Sequence, residues 1–97
     1  MSLVVTSSKV DIFDDNSNPE NKKFNDLYNQ LNEIGIIINH YIYGIDRNKF
    51  INNKDVWMLI NCTGREMLPA TCVNDHLIKI ESYPTKKELL LNLKKLR

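Results

Sequence analysis

Cysteine, glycine and proline are all scarce in this chain, at two, three and three residues among 97. Two thiols, Cys62 and Cys72, are too few for the disulfide framework of a small secreted module. The shortage of glycine and proline leaves no flexible linker, and the thirteen asparagines are scattered among apolar positions rather than gathered in a tract. An excess of one charge is missing as well. Thirteen Lys plus Arg against twelve Asp plus Glu leave a formal net charge of +1, which disfavours nucleic acid as a partner. No apolar run approaches the roughly 20 residues of a membrane span. Met1 to Ser8 lacks the basic and apolar regions of a signal peptide, so a cytoplasmic protein is expected. What is present is 42% hydrophobic residues with one Trp, four Tyr and three Phe. That suffices for one core in a single domain over residues 1–97, with residues 1–8 a flexible or peripheral N-terminus.

Val10 to Phe13 reads as a strand that runs into the polar loop Asp14-Asp15-Asn16-Ser17-Asn18. Asn18 is a cap for a helix with Pro19 at its first position. Phe24, Leu27, Tyr28, Leu31 and Ile34 form the helix's apolar stripe, and Gly35 ends it. Ile36-Ile37-Ile38 continuing through Tyr43 is β-branched and aromatic, hence a strand, expected to be buried on both faces at its start. A short helical turn around Asp46 to Ile51 follows. Asn53 then caps a helix carrying Val56, Trp57, Leu59 and Ile60, with Gly64 as the stop. Ala70 to Val73 and Leu77 to Ile80 flank Asn74-Asp75-His76 and must be antiparallel neighbours across a tight hairpin. Thr85 and Glu88 form a capping-box pair for a last helix with Leu89, Leu90, Leu93 and Leu96 on its apolar side. The order is β-α-β-α-β-β-α, an α/β protein with a central mixed four-stranded sheet and helices on both faces.

That order resembles the thioredoxin fold, and particular residues narrow the match. Phe50, Val56, Leu59, Gly64, Leu68-Pro69, Asn74-Asp75 and the closing Tyr83-Pro84-Thr85-Lys86-Lys87-Glu88-Leu89 resemble the second half of ArsD, the arsenic metallochaperone and trans-acting repressor family. The resemblance implies a cis peptide at Leu68-Pro69, beside the functional end of the first helix. It also implies trivalent arsenic or antimony held by three cysteines in the loop after the first strand, for transfer to the ArsA ATPase. Here that loop, Asp14 to Asn18, holds no cysteine, so no residue inherits the ligand roles. The same gap disfavours thiol–disulfide exchange, because no CxxC pair or single thiol occupies the helix start. The expectation is a noncatalytic interaction or regulatory protein without a cofactor.

Other chemistry is thin. Soft trivalent arsenic or antimony favours thiolates, leaving Cys62 and Cys72 as the remaining soft ligands. Cys72, inside an apolar strand, reads as a small buried hydrophobe, and Cys62 near a helix end as an ordinary side chain. Thiol oxidoreductase activity would need a reactive cysteine near Leu68-Pro69, and Cys72 is the one in reach. Asp14 and Asp15, with Asn16 and Ser17, are the polar residues of the functional-edge loop, and a solvated loop is favoured there over a hard-metal site. His40 and His76 fit no metal-binding spacing. Lys86, Lys87, Lys94 and Lys95 read as an exposed helix face. Tyr41, Tyr43, Phe50 and Trp57 serve either as core or as the surface for a protein partner or homodimer.

Overall fold

Val10–Asp14 (β1) is buried along its whole length, and its position explains why. The structure, a computed structural model, describes residues 9–15 and 21–95, and there β1 lies inside the sheet order β2-β1-β3-β4. Alternation along a strand sends successive side chains to opposite faces. Val10 and Ile12 therefore enter one core cluster while Phe13 enters the other. β2 (Ile38–Ile42) pairs with β1 in parallel, Val10 opposite Ile38 and Asp14 opposite Ile42. β3 (Ala70–Val73) pairs with β1 antiparallel, and β4 (His76–Lys79) with β3 likewise. The mixed sheet and the expected order of elements are what the structure contains, in a thioredoxin-like arrangement.

Two helices cover each face. α1 (Lys22–Asn32) and α4 (Lys86–Lys95) enclose Val10, Ile12, Ile38 and Val73, with Phe24, Leu27, Leu31 and Leu89 as their buried contributions. On the other face α2 (Arg47–Asn52) and α3 (Lys54–Thr63) bring Phe50, Val56 and Ile60 against Phe13, Ala70 and Cys72. A 3-10 turn, Arg65–Met67, leads from α3 into β3.

Four local expectations shift. The first helix starts at Lys22 with Asn21 as its cap, its side chain accepting from the Phe24 N–H; Asn18 and Pro19 lie outside the described residues. The helix closes early, in a Schellman motif, with Ile36 N–H bonded to Leu31 O, Gly35 N–H to Asn32 O, and Gly35 at φ +85°. Ile34 therefore falls in the closing turn, 47% exposed, instead of on the stripe. Ile37 is 64% exposed, because pairing begins only at Ile38 and β2 is an edge strand. The last strand begins one residue earlier than expected, at His76.

The hairpin and the final cap follow the sequence closely. Asn74 and Asp75 take φ of 50° and 70°, as a two-residue hairpin of primed type requires. Asn74 also clamps the start of β1, its N–H bonding to Lys9 O and its Oδ1 accepting from Lys9 N–H, both at 2.8 Å. At α4, Thr85 Oγ1 accepts from Glu88 N–H at 3.1 Å while Glu88 Oε1 accepts from Thr85 N–H at 2.8 Å. That backbone bond, followed by the Lys79 ammonium, holds the Glu88 carboxyl below its ordinary range. Thr85→Ala is expected to lower the unfolding free energy by about 1 kcal/mol, read as a drop in the urea midpoint at unchanged slope.

Candidate functional site

The parallel pair fixes one sheet edge, where β1 and β2 end, β3 begins and β4 finishes. Asp14, the last residue of β1, keeps the parity of Val10 and Ile12 and so faces α1, only 1% exposed. A solvated loop was the expectation for this residue. A strand one residue longer carries it inside instead. Its Oδ2 accepts from the Tyr83 hydroxyl and from His40 Nε2 at 2.9 Å, and its Oδ1 accepts from Asp15 N–H at 2.9 Å. A carboxylate only accepts, so the His40 contact places a proton on Nε2. The His40 ring is stacked on Phe24 with centroids 3.8 Å apart. Tyr83 accepts in turn from Asn21 Nδ2, the residue that caps α1. One polar chain thus joins the end of β1, the middle of β2, the start of α1 and the segment before α4.

Asp15 is exposed beside this buried group, with Arg65 Nη2 3.9 Å from its carboxylate. The same guanidinium lies over the Tyr43 ring at 4.7 Å. Leu68-Pro69, a cis peptide, directly precedes Ala70, which pairs with Phe13. Asn16 and Ser17 lie outside the described residues. Of the aromatic set, Phe50 is 1% exposed in the core, whereas Tyr41, Tyr43 and Trp57 are half-buried against it.

Both cysteines are free, Cys62 exposed near the end of α3 and Cys72 fully buried in β3. Among the described residues no group of three or more His, Cys, Asp or Glu is arranged to hold a metal ion. No helix among them is long and apolar enough to cross a membrane. Cys72 lies on the opposite sheet face from Asp14, in the Phe13 cluster. It does not join the polar edge.

Residues 8–95 match the family described as Arsenical resistance operon protein ArsD. The chain belongs to the ArsD family. Consistent with this, the crystal structure of an arsenical resistance operon trans-acting repressor from Bacteroides vulgatus ATCC 8482 is similar at a TM-score of 0.69 and 26% identity. That match covers 84% of this chain and 88% of that one. No curated protein matches the sequence.

In this ArsD-family chain the polar edge can accept and donate hydrogen bonds, but it presents no sulfur nucleophile. Burial is the main reason that the Tyr83 phenol titrates well above the ordinary tyrosine range, with the bond to Asp14 second. Burial likewise pushes the Cys72 thiol from 9.0 up to about 11, against the lowering effect of Asn53 Nδ2 at 3.5 Å. Since the thiolate is the reactive form, a thiol reagent at about pH 8 is expected to modify Cys62 alone. One equivalent reacts in the native chain, two after denaturation, and none in native Cys62→Ser. The folded chain keeps the Cys72 proton up to about 11 while the unfolded chain releases it near 9.0. The stability linked to that proton is therefore complete below 9.0 and is lost as pH rises toward about 11. Tyr41 and Tyr83, both raised, act in the same direction. Alkaline denaturation with a shallower slope in Cys72→Ala is the expected result.

His40 and Tyr83 were not singled out as site residues from the sequence. The signal available for them was parity: an Asp in register with Val10 and Ile12 points at a core and needs donors. Their identity had no local signature.

Proposed function

We propose that this ArsD-family chain acts noncatalytically, as a protein-interaction or regulatory member of its family, without the metalloid-carrier role. One observation supports this reading above the others. The end of β1, the edge where a metalloid-binding or redox thiol would be presented, is closed by the Asp14–Tyr83–His40 hydrogen bonds. Gathered around the buried Asp14 carboxylate and hydrogen-bonded to it, these groups form a structural joint, and the surface beside them, Asp15, Tyr43 and Arg65, is what a partner meets. The similar protein from Bacteroides vulgatus is described as a trans-acting repressor, which favours regulation of an arsenical resistance operon as the setting. A protein partner, the ArsA ATPase implied by the family or a second copy of this chain, fits such a role.

The competing reading is residual binding of trivalent arsenic or antimony through Cys62 and Cys72. Anaerobic titration of the reduced protein with trivalent arsenic, followed by calorimetry and intact mass, separates the two. The expected result is no saturable one-to-one complex. Saturable binding lost in both Cys62→Ser and Cys72→Ser would establish the carrier reading instead. A reporter driven by the promoter upstream of the gene tests the regulatory half: its response to the protein should persist in the double Cys62→Ser, Cys72→Ser variant. A response abolished in that variant, or absent with the wild type, counts against it. Insulin-disulfide reduction at the buffer rate is expected in parallel.

A further inference from the structure

α2 and α3 leave part of their sheet face open. The opening is a cavity of about 550 Å3, within the size range that accommodates small organic ligands. Phe13 and Tyr41 form its floor, with ring centroids 5.3 Å apart. It is separate from the Asp14 edge, since Asp11 and Phe13 project to the face opposite Asp14.

The wall on the hairpin side is already satisfied. Lys9 Nζ stands 3.1 Å from Asp75 and 3.5 Å from Asp11, and Asp11 also accepts from Asn39 Nδ2 at 2.9 Å. Asn53 uses both ends of its amide, accepting from Val56 N–H and donating to Cys72 Sγ. The helix wall differs. Lys49, Lys54 and Asp55 line the cavity, and among the described residues no ion pair or side-chain hydrogen bond engages any of them. Lys49 is steadied over the Tyr41 ring at 5.6 Å from its centroid, its charge uncompensated by a carboxylate.

That wall offers two ammonium groups and one carboxylate. A simple anion is attracted by both lysines but repelled by Asp55, and a simple cation is repelled by both lysines. The complementary ligand carries two carboxylates and one ammonium. We propose that this cavity binds an acidic α-amino acid, Lys49 and Lys54 receiving its carboxylates and Asp55 its ammonium. Charge-assisted hydrogen bonds of this kind are the strong ones, and opposite charges placed at separate points discriminate among ligands by repulsion as well as attraction.

The test is a titration of the 15N-labelled chain with L-glutamate at constant ionic strength. Saturable shifts are expected at Tyr41, Asn52 and Asp55, with amides of α1 and α4, across the sheet, unmoved. Glutarate lacks the ammonium and γ-aminobutyrate lacks the α-carboxylate, and each should bind about tenfold more weakly. Lys49→Gln and Lys54→Gln are each expected to weaken glutamate binding by about tenfold. Asp55→Asn should erase the preference for glutamate over glutarate. Absence of saturable shifts, or equal shifts with glutamate, glutarate and added chloride, overturns the proposal, and that comparison uses the wild-type chain alone.

Discussion

Phe50→Ala is expected to remove about 4 kcal/mol of unfolding free energy, within the range for emptying a buried aromatic site. Phe50 is 1% exposed and is held edge-on by two rings, Phe13 at 5.1 Å and Tyr43 at 5.6 Å. Truncation removes its burial together with both edge-to-face contacts, each worth roughly 1 kcal/mol beyond area. Few rearrangements can refill the space, because Val56, Met67 and Ala70 in the same cluster are themselves fully buried. A domain of this size has only about 5–15 kcal/mol to lose. Urea unfolding followed by Trp57 fluorescence provides the measurement. A loss below about 1 kcal/mol would mean that Phe50 is no core residue and would return it to the candidate interface.

Asp14→Ala is the second large effect, expected at about 3 kcal/mol. The substitution strips the acceptor from the half-buried Tyr83 hydroxyl and His40 Nε2, at a position where Asp14 itself is only 1% exposed. Unpaired buried donors cost about 1–3 kcal/mol each, which is more than the bond itself contributes. Asp14→Asn should cost less, about 2 kcal/mol, because one amide oxygen can still accept. Tyr83→Phe removes the donor to Asp14 and leaves only the half-buried Asn21 Nδ2 without its acceptor, and about 1 kcal/mol is expected. The double variant Asp14→Asn, Tyr83→Phe should be less damaging than the sum of the singles, since both changes remove the same bond. Strict additivity would show that the two groups do not act together. A spectroscopic signature accompanies this: with the Asp14 charge gone, the Tyr83 phenol should titrate at lower pH in Asp14→Asn, visible in the alkaline absorbance of tyrosinate.

Most of the fold was legible because its determinants are local. The Asn74-Asp75 turn, the Thr85 and Glu88 box and the Asn53 cap each lie within four residues, where backbone preference and one side-chain bond decide the outcome. The misplaced features are those set by neighbours. Ile36-Ile37-Ile38 has the composition of a central strand, yet the sheet places β2 at an edge. Asp14 looks like loop sequence, and only pairing with Ile42 and Phe13's neighbour Ala70 makes the position a strand end. Its partners His40 and Tyr83 lie 26 and 69 residues away, beyond any spacing rule. The absence of cysteine from that loop, by contrast, was plain from sequence alone, and it bears most directly on function.

The clamp between Lys9 and Asn74 spans 65 residues, and this has a consequence for how the chain comes into being. β1 leaves the ribosome first but cannot complete its sheet until β3 and the hairpin have been made. At about 5–20 residues per second the strand waits roughly 3–13 s with the edge that β3 will cover bare. A waiting apolar strand is a template for association with other chains, and interspersed charge is the usual protection. Asp11 separates Val10 from Ile12 and Phe13, and Asp14 closes the run. Asp11 and Asp14, both buried in the finished protein, thus place charge in its central strand while that strand still waits for its partner.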